Sequence, residues 1–316
     1  MFKYTVKRLL QSVVTVLIVA TIVFLLLRLL PADYYFTEDQ IMKLSVSQRH
    51  DMLEAAGLLD PPLEQLFRFY GQILRFDFGQ SRRIQSGAPV TEVIGKRFKI
   101  SMRNGGTALG IGLILGVALG MIQTRYKNKI PDHLGTAYTI FVNAVPPLVS
   151  YSLVLVLGAR LFKLPSIYSL RKPVESSILP IACLALTSIA SYSIWTRRYM
   201  IDEMNKDYIK LARIKGLPQK KVISKHVLRN AFVPLAQYLP GAFVLTIGGS
   251  LLAERFFSVP GMGPLLTDAI GRYDLNVVQT LVILYAALGI LGVFLGDVLM
   301  IIIDPRITLV EKGGTR

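Results

Sequence analysis

The fold class this sequence predicts is an all-α integral membrane protein with six transmembrane helices and both termini in the cytoplasm. Three observations carry that prediction. The chain of 316 residues is 52% hydrophobic and only 18% charged, with a mean hydropathy of +0.49. Six runs, residues 9–30, 104–124, 134–159, 176–196, 231–253 and 275–303, are free or nearly free of charge. Each reaches the roughly 20 residues that a helix needs to cross about 30 Å of hydrocarbon, where only a structure that satisfies its own backbone can stand. The third observation is where the net charge of +16 falls. With the N-terminus inside, the short inside segments hold nineteen Lys and Arg, ten of them at 197–229, against six in the two short outside loops. That asymmetry is the positive-inside pattern, so the basic excess reads as topology rather than as a nucleic-acid footprint.

Taken in order, the first run follows Lys3, Lys7 and Arg8. It is too long for a signal-peptide core, and "LLRLLPADYYF" offers no small-residue cleavage site, so residues 1–30 form a retained N-terminus and first span. Residues 31–100 form an extracytoplasmic helical segment with nine basic and nine acidic side chains. In "SVSQRHDMLEAAG", Ser45 or Ser47 suits an N-cap and Gly57 a helix stop. In "DPPLEQLFRFYGQILRFDFG", proline suits a first helical turn. Leu63, Leu66, Phe67, Tyr70, Ile73 and Leu74 then recur at helical spacing, a face expected to pack on the membrane domain or on the other short helix. This segment is either a folded cap or a docking surface for an outside partner.

Residues 101–316 make the remaining core, with a cytoplasmic loop at 197–229. Gly106 and Gly110, and then Gly112, Gly116 and Gly120, recur every four residues in the second run, a spacing that lets helices approach closely in lipid. "NAVPP" should bend the third run, because Pro146 and Pro147 supply no backbone donor. Asp297 is the only acidic residue within the six runs, and without a second carboxylate or a His beside it a structural bond fits better than a proton relay. The sequence has no G-x-x-x-x-G-K-[ST] phosphate loop, and one Cys and three His compose neither a metal cluster nor a nucleophile triad. An enzyme is not expected. No cofactor is expected on this chain, and any energy must arrive through another subunit.

The loop "DYIKLARIKGLPQKKVISKHVLRN" breaks the apolar pattern. Asp207 can cap a short helix over 208–215 that stops at Gly216, with Tyr208, Leu211, Ala212 and Lys215 on one face. Pro218 restarts a second helix whose apolar edge is Val222, Ile223 and Val227. Ala212-x-x-x-Gly216 is also the kernel of a DNA-binding helix-turn-helix. The second helix would run straight into the fifth span, however, which leaves no freedom to enter a groove, so no nucleic-acid partner is expected. Lys220, Lys221 and Lys225 suit anionic membrane lipid.

At these residues the chain resembles the inner-membrane permease subunits of ATP-binding-cassette importers, in the oligopeptide/dipeptide/nickel branch. The likeness spans "RLLQSVVTVLIVATIVFLLLRLLPAD", "GLLDPPLEQ", "FDFGQS", "APVTEVI", "YIKLARIKG" with "KHVLRNAFVP", "FSVPGMGPLLTDAIGRYD" and the closing "DPRI". It implies a type I importer permease fold in the cytoplasmic membrane. It further implies a second homologous permease, two cytoplasmic ATPase subunits that bind ATP and Mg, and an extracytoplasmic substrate-binding protein. Tyr208, Leu211, Ala212, Arg213, Lys215 and Gly216 would form the coupling helix that an ATPase grips. Lys210 departs from the general signature, which has Glu there. A peptide path would draw on polar span residues: Asn143, Ser150, Tyr151, Ser188, Ser191, Tyr192, Thr246 and Ser250. Each is equally compatible with bonding between helices. Nickel or oligosaccharide import by the same machinery, and a self-sufficient channel or secondary transporter, are the alternatives.

Overall fold

The computed structural model describes residues 2–36 and 38–303; the closing "DPRI" lies outside them. All regular structure among the described residues is helical. Helix α1 is Phe2–Arg28, and three short helices follow, α2 Glu38–Lys43, α3 Val46–Ala55 and α4 Pro62–Leu74. Then come α5 Val90–Arg125, α6 Ile130–Ala144, α7 Pro147–Phe162 and α8 Ile178–Met204. The elbow is α9 Asp207–Ile214 and α10 Gln219–Lys221, which leads into α11 Leu228–Ile247. Two short helices, α12 Leu251–Phe256 and α13 Met262–Gly271, precede α14 Leu275–Ile303.

Four helices among the described residues are long and apolar enough to cross a membrane: α1, α5, α8 and α14. A fifth candidate is the pair α6 and α7, but its axes diverge by 112°. The expected bend at "NAVPP" is therefore a full break. Val145 is extended and Pro146 caps α7, since neither proline can donate to a preceding carbonyl. The fifth apolar run becomes the 20-residue α11, with Pro234 and Pro240 inside it. Helix α5 begins at Val90, within the segment read as extracytoplasmic, and its 36 residues extend about 54 Å at 1.5 Å per residue.

The centre of the molecule is α5 packed along α8. A Cβ on Gly112, Gly116 or Gly120 would sit 2.3, 2.6 or 2.6 Å from the Cβ of Ser188, Tyr192 or Thr196. Three residues one turn apart on α8 thus rest directly on the α5 backbone, the close approach expected of small residues at this period. Gly106 and Gly110 take no part: the first meets only Phe243, at 3.9 Å, and the second meets nothing within 4 Å. Gly105, which the four-residue spacing skips, is the one pressed against Thr246.

Among the contacts that tie segment 31–89 to the membrane helices, which include Tyr35 Oη on the Leu27 carbonyl and Asn276 Nδ2 on the Gln80 carbonyl, two anchors are the most extensive. Asp274 is fully buried, and its Oδ2 accepts from Ser81 Oγ at 2.7 Å and from the N–H groups of Arg82, Arg83 and Ile84 at 3.1, 2.9 and 3.0 Å. The second anchor is α4, which packs Phe69 with Leu66, Tyr70 and Ile73 against Ala20, Phe24 and Ile283. Ser45 is the N-cap of α3, in a capping box with Gln48, and Gly57 ends the turn at φ +64°. The face expected on α4 is corrected here. Leu66, Tyr70 and Ile73 are covered, whereas Leu63, Phe67 and Leu74 are 69, 74 and 80% exposed.

Candidate functional site: the elbow between α8 and α11

Helix α8 ends at Met204, and Lys206 turns to extended backbone (ψ 148°) before α9 starts. Asp207 is the first residue of α9 rather than its cap. No side chain caps the helix, and the Asp207 carboxylate instead takes a 2.8 Å bond from Lys210 Nζ. At the other end the reading from sequence holds. Gly216 has φ +75°, its N–H donates to Arg213 O at 2.9 Å, and the Leu217 N–H donates to Ala212 O at 3.3 Å. These two bonds are the Schellman closure, which places glycine in the left-handed region. Pro218, with ψ 139°, restarts the chain into α10. A π turn over Val222–Val227 then leads without interruption into α11; such turns inside helices concentrate at functional positions.

The elbow has a buried side and an exposed side. Ile209 and Ala212 of α9 and Val222, Ile223 and Val227 join Met200 and Ala231 in one apolar cluster. Ala212 therefore faces inward, away from the face it was expected to share with Tyr208, Leu211 and Lys215. On the exposed side, Leu211 and Ile214 are 52 and 82% exposed, among the exposed Lys210, Arg213 and Lys215. Ile214 was not singled out from sequence, although its place three residues after Leu211 puts both on one face.

Tyr208 tethers the elbow to both spans it joins. Its hydroxyl donates to Glu203 Oε1 on α8 and accepts from Asn230 Nδ2 of α11 at 2.6 Å. Burial, together with the Glu203 carboxylate, pushes the phenol up to about 12, so the tether stays protonated at neutral pH. Lys206 Nζ meets the other Glu203 oxygen at 2.7 Å. A second network braces the same end of the bundle. Arg197 of α8 donates to both oxygens of buried Asp132 on α6, at 2.7 and 2.9 Å, and Ser193 donates to Gln123 of α5. Asp297 is held by Arg8, Nε to Oδ2 3.4 Å.

The polar span residues fall into separate groups. Tyr151 packs with Leu179, Cys183 and Phe257, and Tyr192 is buried on Gly116. The Ser188 and Thr246 hydroxyls donate to carbonyls of their own helices, those of Leu184 and Ala242. Ser250 accepts from Ala253 N–H at the start of α12. Ser150 lies half-buried in the first turn of α7, while Asn143 and Ser191 are exposed. Glu254, one residue past the fifth apolar run, was passed over and is 4% exposed. It accepts from Ser101 Oγ at 2.6 Å and from Gly263 N–H at 3.0 Å, and a Cβ on Gly261 would lie 2.4 Å from its carboxylate. Only the fold brings Ser101 to it, 153 residues away.

Residues 112–309 match the family model described as "Binding-protein-dependent transport system inner membrane component". Over 310 residues the chain is 32% identical to a dipeptide transport system permease protein of Lactococcus lactis subsp. cremoris, which covers 98% of this chain and all of that one. Over 311 residues it is 33% identical to an oligopeptide transport system permease protein of Escherichia coli K12, covering 97% of this chain and 99% of that one. Among solved structures, the inward-facing MetNI methionine ABC transporter superposes with a TM-score of 0.57 at 14% identity, over 68% of this chain and 97% of its own. That likeness concerns the fold. By the family match and the two near full-length relatives, the chain belongs to the binding-protein-dependent transport system inner membrane components, multi-pass proteins of the cytoplasmic membrane.

Proposed function

We propose that this chain is one permease subunit of an ATP-driven importer of dipeptides or oligopeptides. It crosses the membrane six times, with the α6–α7 pair and α11 completing the count, and both termini are cytoplasmic. A second, homologous permease encloses the path with it. An extracytoplasmic binding protein delivers substrate onto the segment between α1 and α5. ATP and Mg are bound by two cytoplasmic ATPase subunits, and the chain itself binds neither.

The elbow is the observation that carries the reading. A short helix with a buried apolar underside, bonded to both flanking spans through Tyr208, transmits a push without folding away. Its outer ridge, Leu211 and Ile214 among Lys210, Arg213 and Lys215, suits an apolar cleft with an acidic rim on an ATPase subunit. Closure of the ATPases on nucleotide then shifts α8 and α11 together, and the spans alternate their opening. Tyr208, Leu211, Ala212, Arg213, Lys215 and Gly216 keep the roles their places allow: ridge for Leu211, Arg213 and Lys215, tether for Tyr208, underside for Ala212 and turn for Gly216. Of the path candidates, Asn143 and Ser191 are the exposed ones and Ser150 is half-buried; the Asn143 amide also donates to Thr139 O of its own helix at 2.7 Å.

Reconstitution of the assembled importer in liposomes tests this. With Ile214→Asp, peptide-stimulated ATP hydrolysis and uptake should both fall about tenfold or more, because an unpaired carboxylate in an apolar cleft costs several kcal/mol. Uptake that continues without any ATPase subunit contradicts the proposal and favours a self-sufficient carrier. Uptake of nickel in place of peptide keeps the machinery and changes the cargo.

A further inference from the structure

Helix α4 lies in the segment that sequence alone places outside the membrane, yet its contacts are with the interior of a span. Tyr70 donates to the backbone carbonyl of Leu17 at 3.1 Å and bonds Thr21 Oγ1, and Phe69 stacks on Phe24 with centroids 5.0 Å apart. Arg8 and Arg28 bracket about 30 Å of α1 at 1.5 Å per residue, one hydrocarbon thickness. Thr21 and Leu17 stand about 10 and 16 Å in from Arg28 on the same scale. The Tyr70 hydroxyl therefore reaches close to the middle of the span.

The faces of α4 agree with that depth. At 3.6 residues per turn its apolar side chains fill one continuous arc. Leu66, Phe69, Tyr70 and Ile73 meet α1 and α14. The remainder of the arc, Leu63, Phe67 and Leu74, is uncovered. The opposite side carries Gln65, Arg68 and Gln72, which line a cavity of about 670 Å³ with a mixed polar and apolar wall. On α1, the span that α4 packs against, Leu17, Ile18, Ile22, Leu25 and Leu26 are likewise 43 to 58% exposed.

From this geometry we infer that α4 is a membrane-embedded helix. It is sunk in the leaflet bordered by Arg28, with Leu63, Phe67 and Leu74 against lipid acyl chains and its polar side turned to that cavity and to Leu58 and Asp60. This is the arrangement of an interfacial amphipathic helix, here pinned at its depth by the Tyr70–Leu17 bond. Acyl chain is the occupant the stripe fits, because the stripe is apolar throughout and belongs to a helix bonded to the middle of a span.

The experiment places a benzophenone amino acid at Phe67, at Leu74 or, for the polar side, at Glu64, in the full chain within its assembled complex in native membranes. After irradiation the chain is weighed intact. The expected result is a mass increment of one phospholipid at 67 and 74, several-fold more abundant than at 64. Crosslinks from 67 and 74 to another protein chain would show that a subunit covers the stripe and overturn the inference. Water-quenched, adduct-free label at both positions would overturn it too, by placing α4 above the membrane.

Discussion

The seam between α5 and α8 and the turn that ends α9 each hinge on glycine, for opposite physical reasons. In the seam the glycines have ordinary helical backbone and no room. Gly116 faces Tyr192 Cβ and the Ile189 carbonyl, where an added Cβ would stand at 2.6 and 2.8 Å. At the elbow Gly216 has room on every side, with nothing within 4 Å of an added Cβ, but its φ is +75°. One site needs the absence of volume and the other needs freedom of backbone. A four-residue glycine period and a glycine between a helix and a proline look equally suggestive in a sequence. They answer to different tests.

The largest effect should come from the seam. Gly116→Leu is expected to leave little folded protein in the membrane. Gly116→Ala should destabilise by about 1–3 kcal/mol, in the range of overpacked cores, read as a lowered melting temperature of the purified chain in detergent. Trimming Tyr192 should not rescue it, since the carbonyl of Ile189 crowds the same point. A Gly116→Ala protein that melts with the parent would mean that α5 and α8 part more readily than their packing implies.

The tether comes next. Tyr208→Phe keeps the ring and removes the hydroxyl, leaving one Glu203 oxygen without its donor and Asn230 Nδ2 without its acceptor. A lost bond to a buried charged group is worth about 1.5–3 kcal/mol. Lys206 still pairs with Glu203, so the lower end of that range is expected. Hydrogen exchange of the α9 amides should quicken while that of α5 does not change. Equal quickening in both helices would show that the elbow is not an independently anchored unit.

At Gly216 the effect is smaller and depends on backbone rather than bulk. Alanine there costs about 1 kcal/mol, because an L side chain disfavours left-handed backbone. Asparagine, which tolerates that region, should cost less despite its larger volume. The ratio of ATP hydrolysed to peptide taken up, measured in liposomes, should follow the order Gly, Asn, Ala. An order set by side-chain volume would show that something packs against this turn.

What could be read from the residues alone follows the same division. Gly216, Pro218 and the Val222, Ile223, Val227 edge were legible, because a Schellman stop and a proline restart are set by neighbours in the chain. Ser45 was legible for the same local reason, whereas the Gly112, Gly116, Gly120 stripe was legible only as a period, one that Gly106 and Gly110 share without packing closely. Helical period shows that Leu63, Leu66 and Phe67 share an arc, but which part of that arc is covered depends on α1 and α14. The same holds for Ala212, whose inward turn is set by Met200 and Val222. Glu254 gave no signal because its donor, Ser101, is distant in sequence. At "NAVPP" the prolines announced a bend, but not that the run would break into two helices diverging by 112°.

Gly110 makes the sharpest contrast at the smallest magnitude. It stands two residues out of the seam's register and by sequence belongs with Gly106 in a second pair at the same four-residue spacing. In the fold it is helical, with nothing within 4 Å of an added Cβ and no positive φ. Neither reason for glycine applies to it. Gly110→Ala should then gain rather than lose, by up to about 1 kcal/mol of helix propensity, and the purified chain should melt at the parent's temperature or slightly above. The same variant is to be melted as the chain alone and within the importer, where a helix of another subunit has access to this face. A loss in the importer alone would assign Gly110 to the contact between the two permeases. A loss in both would refute the space seen around it, and with it the rule that separates crowded glycines from bent ones in this molecule.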